Sequence, residues 1–63
     1  MMDYVVWDSE MGVAAEVYRT GDNQWRIVMK DTDADAVVYV LNLKDKTFKD
    51  AKLRAEEIVG FQN

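Results

Sequence analysis

Three aspartates stand at alternate positions in the segment KDTDADA, namely Asp31, Asp33 and Asp35. Carboxylates at the first, third and fifth positions begin the calcium loop of an EF-hand. That loop also requires glycine at its sixth position and a bidentate glutamate at its twelfth. Those positions hold Ala36 and Asn42 here. The sequence therefore predicts no calcium site, and we expect neither a metal nor another cofactor.

Two further interpretations of this aspartate segment stay open. Aspartate favours turns because its carboxylate accepts hydrogen bonds from the local backbone, so the segment fits a polar connection between strands. In an extended segment, alternate side chains instead project to one side about 6.6–7 Å apart. That spacing is close to every second phosphate of a DNA strand, at about 3.4 Å per phosphate. The second interpretation makes Asp31, Asp33 and Asp35 an exposed row of charge that binds a partner.

A second acidic group lies near the start of the chain, at Asp3, Asp8 and Glu10. If the first strand lies beside a hairpin, these three residues share a face or rim with the aspartate segment. We therefore include them among the candidate partner-binding residues.

The sequence predicts a protein without catalytic activity. It contains no histidine and no cysteine, and its one serine, Ser9, has no base near it in sequence. Carboxylate pairs perform acid–base chemistry only where a pocket shifts their pKa values, and one small domain rarely encloses such a pocket. The lack of cysteine and of a signal-peptide pattern fits a cytoplasmic protein. The longest apolar stretch, AVVYVL, is far below the roughly 20 residues of a membrane span, so we expect no membrane contact.

The charge is unevenly distributed along the 63 residues, whose net charge is −4. Residues 1–43 contain eight acidic and three basic side chains, whereas residues 44–63 contain four acidic and five basic ones. The basic stretch from Lys44 to Arg54 is interrupted by Asp45 and Asp50, as on a solvated helix face. A small nucleic-acid-binding domain is normally basic overall. We therefore expect no direct binding of nucleic acid, and a protein partner with a basic groove instead.

Four short runs rich in β-branched and aromatic residues predict strands. They are DYVVW (3–7), VAAEVYR (13–19), QWRIVMK (24–30) and AVVYVLNL (36–43). Alternation in the third run places Trp25, Ile27 and Met29 on one face, where we expect them in the core. Hairpin-length connections such as TGDN predict antiparallel pairing.

The period then changes, and residues 45–60 predict a helix. Thr47 is the expected N-cap, with Asp50 in a capping-box position, and Gly60 is expected just beyond the helix end. Leu53 lies off the apolar stripe. The stripe itself consists of Phe48, Ala51, Ala55, Ile58 and Val59. Residues 1–63 thus form a single α+β domain, a three- to four-stranded antiparallel sheet followed by one C-terminal helix packed on one face.

The run AVVYVLNL is apolar on both of its faces. If Val37, Tyr39, Leu41 and Leu43 face the helix, then Val38 and Val40 face outward. Neighbouring tryptophan and tyrosine side chains cover this outer face, or another chain covers it. A homodimer formed through the sheet would also help a domain too small to bury a large core. Val38 and Val40 are therefore the candidate dimer surface.

The whole chain resembles the small acidic proteins of bacteriophages and mobile elements that inhibit host machinery, among them DNA mimics and anti-CRISPR proteins. The resemblance lies in the single small domain, the lack of cysteine and the acidic stretches MMDYVVWDSE and KDTDADA. It implies a non-catalytic inhibitor that blocks DNA binding by a Cas complex through a negative surface. The lysine-rich helix departs from that pattern. The alternative is a small assembly module that pairs with itself or a host protein through an apolar strand.

Overall fold

The computed structural model describes residues 2–60, which form four strands followed by one helix. The elements are β1 (Met2–Asp8), β2 (Val13–Gly21), β3 (Gln24–Asp31), β4 (Ala36–Lys44) and α1 (Phe48–Gly60). The strands make one antiparallel sheet in the order β1-β2-β3-β4, and α1 packs against one of its faces. The predicted α+β fold is confirmed, with four strands. Residues 2–60 contain no helix with the length and apolar character to cross a membrane.

The core forms where β2 and β3 alternate between apolar and polar side chains. The strand register sets Val17 opposite Ile27 and Ala15 opposite Met29, and all four side chains are buried on the helix side. The turn between these strands includes Asn23 in the left-handed region, at φ 54°. Asparagine is among the residues that tolerate this conformation. The alternation of the sequence therefore determined which face of the central hairpin is buried.

The helix begins with the predicted capping box. The backbone N–H of Asp50 donates to Thr47 Oγ1, and the backbone N–H of Thr47 donates to Asp50 Oδ2, both at 3.2 Å. This second bond is the main reason why the pKa of the Asp50 carboxyl is lowered. Gly60 is the last helical residue that the structure describes, so it does not lie beyond the helix end as predicted.

Small side chains bring α1 close to the sheet. Ala51, Ala55 and Val59 are buried against it, as the apolar stripe predicted, whereas Leu53 is exposed. Trp25 fixes the start of the helix, because its ring stacks on Phe48 with centroids 5.3 Å apart. Its indole Nε1 also donates to the carbonyl of Lys46 at 2.9 Å. Trp25 is therefore a core residue, as expected, and it secures the connection between β4 and α1.

The helix does not cover the sheet evenly. It packs against β2, β1 and β3, and this leaves β4 at the margin. A helix is about 10–12 Å across with its side chains, whereas four strands at about 4.8 Å spacing are wider than that. One helix therefore leaves one edge of a four-stranded sheet open, and in this fold that edge is β4.

The predicted facing of β4 is correct in its second half and wrong at its start. Tyr39 and Leu41 pair with Met29 and Ile27, which lie on the helix side. The register shifts between Met29 and Lys30, so that Lys30 pairs with Val37 on the outer face. Such a bulge sets two residues of one strand against one of its neighbour and breaks the alternation. Val37 therefore does not join the helix side as the simple alternation predicted.

Candidate protein-binding surfaces

The turn between β1 and β2 is built around the carboxylate of Asp8. Its Oδ1 accepts hydrogen bonds from the backbone N–H groups of Glu10 and Met11, at 3.0 and 3.1 Å. The N–H of Gly12 donates to the carbonyl of Asp8 at 2.9 Å, and Gly12 lies in the left-handed region at φ 70°. Glycine has no Cβ to oppose that conformation. Asp8 thus holds the turn that presents Glu10.

The turn between β3 and β4 is built in the same way around Asp31. Its Oδ1 accepts from the N–H groups of Asp33 and Ala34, at 3.0 and 3.2 Å. Asp35 then takes a left-handed conformation at φ 52°. These bonds close the segment into a turn, as the first of the two interpretations expected, so the alternative of an extended row of Asp31, Asp33 and Asp35 is wrong. Asp31 is also partly buried, whereas Asp33 and Asp35 are exposed as expected.

The two acidic turns lie side by side at one end of the sheet. The N–H of Thr32 donates to the carbonyl of Gly12 at 2.8 Å, which joins one turn to the other. Asp33 packs over Gly12, where an added Cβ would lie 2.8 Å from Asp33 Oδ2. We call this region the acidic end. Its five carboxylates belong to Asp8, Glu10, Asp31, Asp33 and Asp35.

The acidic end has little positive charge to balance it. Segments 8–13 and 31–36 contain no lysine or arginine. Lys30 precedes the second turn, but its Nζ lies 3.4 Å from Glu16 Oε2 in the middle of the sheet. Residues 2–60 contain no group of three or more acidic side chains arranged to hold a metal ion. The acidic end is therefore a concentration of charge on two rigid turns.

Asp3 does not belong to this surface, in contrast to the prediction. It lies at the other end of β1 from Asp8, about 16 Å away at the usual rise of a strand. Its Oδ2 accepts a hydrogen bond from the backbone N–H of Arg19 at 2.9 Å, beside the second turn of the sheet. Asp3 instead stabilises the pairing of β1 with β2.

Strand β4 provides a second exposed surface, of opposite character. Val37, Val38, Tyr39 and Val40 are 54%, 57%, 48% and 47% exposed. The interpretation that neighbouring aromatic rings cover Val38 and Val40 is wrong. Val40 has Val28 beside it on the outer face, while the ring of Trp25 lies on the helix side. These four consecutive residues, which we call the β4 edge, are therefore open to solvent.

Polar contacts occupy the middle of the outer face. Glu16 accepts a hydrogen bond from the hydroxyl of Tyr18 at 2.6 Å and pairs with Lys30. The same hydrogen bond raises the pKa of the Tyr18 hydroxyl. Arg26 Nε donates to Asn42 Oδ1 at 3.1 Å. Exposed apolar groups on this face therefore lie mainly at its two sides, at the β4 edge and at Trp7.

The helix side of β4 borders an open groove. This groove has a volume of about 450 Å³ and separates the end of β4 from α1. Leu43 lies on one wall and Leu53, which is 51% exposed, lies on the other. Charged side chains of Lys46, Asp50, Arg54 and Glu57 complete the lining. Apolar surface is thus accessible on both faces of β4.

The sequence contained a signal for this open edge that the alternation argument missed. A single helix is narrower than four strands, so one edge strand had to be exposed on the helix side too. The run AVVYVLNL is the last strand in a series of hairpins, and the last strand of such a series lies at an edge of the sheet. Tyr39 was expected to face the helix, yet it is almost half exposed.

No protein-family model matches the sequence, and no curated protein or solved structure matches it either. The fold defines the chain as a small α+β domain with an acidic end and an open apolar edge. These two surfaces are the candidate binding sites.

Proposed function

We propose that this chain is a non-catalytic binding protein that docks its acidic end on the basic groove of a nucleic-acid-binding protein and so excludes nucleic acid. The observation that carries the proposal is the joining of five carboxylates on two adjacent, hydrogen-bonded turns. Neither turn has a cation within it, so a basic surface that approaches the acidic end meets no like charge there.

Competition of this kind needs charge and shape but no chemistry. A basic groove attracts phosphates through its summed field, and the same field attracts carboxylates. The turns at Asp8 and Asp31 are fixed by hydrogen bonds, so little conformational entropy is lost when Glu10, Asp33 and Asp35 dock. The carboxylates form a compact cluster and not a linear copy of a phosphate strand. The protein therefore blocks a groove by occupying its entrance.

The specific form of the proposal is a phage-encoded inhibitor that blocks DNA binding by a CRISPR–Cas complex in the host cytoplasm. This form is supported by the resemblance in size, charge and lack of cysteine to such inhibitors. The proposal includes no metal, no cofactor, no direct nucleic-acid contact and no membrane contact.

The test is the displacement of fluorescent target DNA from purified Cas–guide RNA complexes. The variant Glu10→Gln/Asp33→Asn/Asp35→Asn removes three charges from the acidic end without touching the carboxylates that hold the turns. Exposed ion pairs contribute roughly 0.2–1 kcal/mol each, so we expect inhibition about tenfold weaker than that of the wild type. Added salt should also weaken inhibition by the wild type, because exposed charges act mainly on association.

A matched control removes the same number of charges elsewhere. Asp22→Asn/Asp45→Asn/Glu57→Gln also changes the net charge from −4 to −1, but it leaves the acidic end intact. This control should inhibit like the wild type. Equal weakening of both variants would mean that net charge alone acts, and an inactive wild-type protein would refute the CRISPR–Cas form of the proposal.

A second function is favoured by a separate observation, the exposure of four consecutive apolar residues at the β4 edge. The chain would then be an assembly module that pairs through β4 with itself or with a host protein. Salt and charge substitutions should leave such pairing largely intact, whereas polar substitutions at Val38 or Val40 should abolish it.

A further inference from the structure

Strand β4 differs from the usual edge of a sheet. In natural proteins, charged side chains, proline, bulges or short length prevent an edge strand from pairing with another chain. The other edge, β1, carries Asp3 and Asp8 and has an irregular register between Met2 and Tyr4. In contrast, β4 has nine residues with no charge or proline before Lys44, and its bulge lies at its start. The regular stretch from Tyr39 onward is therefore an open template for another strand.

The exposure pattern distinguishes side-on pairing from packing through a sheet face. A partner that packs on one face covers alternate residues, because successive side chains point to opposite faces. Here Tyr39 is exposed on the helix side while Val40 is exposed on the outer side. Only a strand added beside β4 contacts apolar side chains on both faces at once.

Charge at the two ends of β4 determines the direction of pairing. The acidic turn with Asp33 and Asp35 precedes the strand, whereas the segment KDK (44–46), with a net charge of +1, follows its last apolar residue. Antiparallel pairing of two copies brings each acidic turn beside the lysines of the other copy. Parallel pairing would bring the two acidic turns together, and like charges side by side are destabilising.

We propose that the protein forms a homodimer in which β4 pairs side-on and antiparallel with β4 of a second copy. The two four-stranded sheets become one eight-stranded sheet with a two-fold axis. Maximal overlap of the two β4 strands puts this axis at Val40, the middle residue of the strand. Val40 of one copy therefore lies opposite Val40 of the other. Tyr39 then lies opposite the partner's Leu41, and the start of the strand near Ala36, beyond its bulge, lies beside the partner's Lys44.

This dimer deepens the second function proposed above, pairing through β4, and does not depend on the inhibition of a nucleic-acid-binding partner. In the dimer, Lys44 of the partner subunit lies close to Asp35, at the side of the acidic end next to β4. The turn that carries Asp8 and Glu10 joins β1 to β2, on the far side of the sheet from the dimer axis. That turn stays free to bind another protein.

The first test is sedimentation equilibrium over the micromolar range, with three variants that separate the geometries. The wild type should have twice the 7.3 kDa mass of the chain. Tyr39→Lys and Val40→Lys should each be monomeric. Each substitution removes an apolar contact near the two-fold axis and brings a lysine of one copy close to the same lysine of the other. Trp7→Lys is the matched control: it changes a side chain that is 64% exposed at the opposite edge and should stay dimeric.

The outcomes exclude the other geometries. A dimer that survives Tyr39→Lys but dissociates with Trp7→Lys packs through the outer face and overturns side-on pairing. A monomeric wild type overturns the dimer entirely. Circular dichroism of each variant verifies folding, which we expect to be retained because Tyr39 and Val40 are each about half exposed.

The second test determines the direction of pairing and uses the lack of native cysteine. Ala36→Cys and Lys44→Cys proteins are mixed in equal amounts and oxidised, and the disulfide-linked species are identified by mass. Paired residues of antiparallel strands have Cα atoms about 4.5–5.5 Å apart, within disulfide range. Antiparallel pairing should yield the mixed disulfide, whereas a predominance of disulfides between two Ala36→Cys chains would overturn it.

Discussion

Replacing Asp31 by alanine should destabilise the fold far more than replacing its neighbour Asp33. The Asp31 carboxylate accepts two backbone hydrogen bonds that close the turn between β3 and β4. Each such bond contributes about 0.5–1.5 kcal/mol net. Water reaches this turn, and removal of one charge also relieves repulsion within the acidic end. We therefore expect a loss of about 1–2 kcal/mol, close to that for removal of a helix N-cap.

For a domain of this size, that loss lowers the melting temperature by about 8–15 °C. The assay is urea unfolding followed by tryptophan fluorescence, to which the buried Trp25 contributes. Asp31→Asn should retain most of the stability, because an amide oxygen accepts the same hydrogen bonds. Asp33→Ala should change it by about 0.5 kcal/mol or less, as is usual for exposed sites.

The comparison of Asp31 with Asp33 tests whether the first carboxylate holds the turn while the second is only an exposed charge. If Asp31→Ala and Asp33→Ala unfold at the same urea concentration, the turn is not held by the Asp31 carboxylate. If Asp31→Asn is as unstable as Asp31→Ala, the negative charge matters more than the hydrogen bonds. The first result would refute the assignment of Asp31 to the fold, and the second would refute the hydrogen-bond explanation of its role.

Three further predictions concern the helix start and the turn at Gly12. Thr47→Ala removes the hydroxyl that caps α1 and should cost about 1 kcal/mol, seen as a lower urea midpoint with an unchanged slope. Because the folded pKa of Asp50 is lowered, its ionised form stabilises the fold above its ordinary pKa of 3.8. That stability is lost as the pH falls through the lowered folded value, and an acid titration of Asp50→Asn should lack this loss. Gly12→Ala should cost about 1–2 kcal/mol in thermal melting because of its left-handed backbone, with crowding against Asp33 in addition.

Local sequence patterns were sufficient to predict most of the fold. Alternation identified the buried face of β3, and the spacing of Thr47 and Asp50 identified the start of α1. Both patterns act through contacts between residues near in sequence or along one element, so they are visible without knowledge of the tertiary structure. The bulge between Val37 and Tyr39 was not visible, because it depends on the register between β3 and β4.

The acidic end was predicted in part, and the order of strands explains both the success and the failure. In an antiparallel meander, the β1–β2 and β3–β4 turns lie at the same end of the sheet. Asp8 and Glu10 therefore join the β3–β4 turn, whereas Asp3, at the start of β1, must lie at the other end. The spacing of Asp31, Asp33 and Asp35 suggested an extended row, because periodicity alone does not reveal that a side chain closes the backbone into a turn.

The exposure of β4 has a physical cost that favours a role in binding. Polar side chains at Val38, Tyr39 and Val40 would leave the core intact, because residues of β2, β3 and α1 form the buried cluster. Apolar side chains at these positions instead keep hydrophobic surface in water, where burial would release about 25 cal/mol for each Å². In a domain this small, a chain that exposes such a strand gains stability when another strand covers it. The β4 edge and the acidic end thus present two adjoining binding surfaces on the same sheet, one along its open side for a second strand and one at its end for a basic partner.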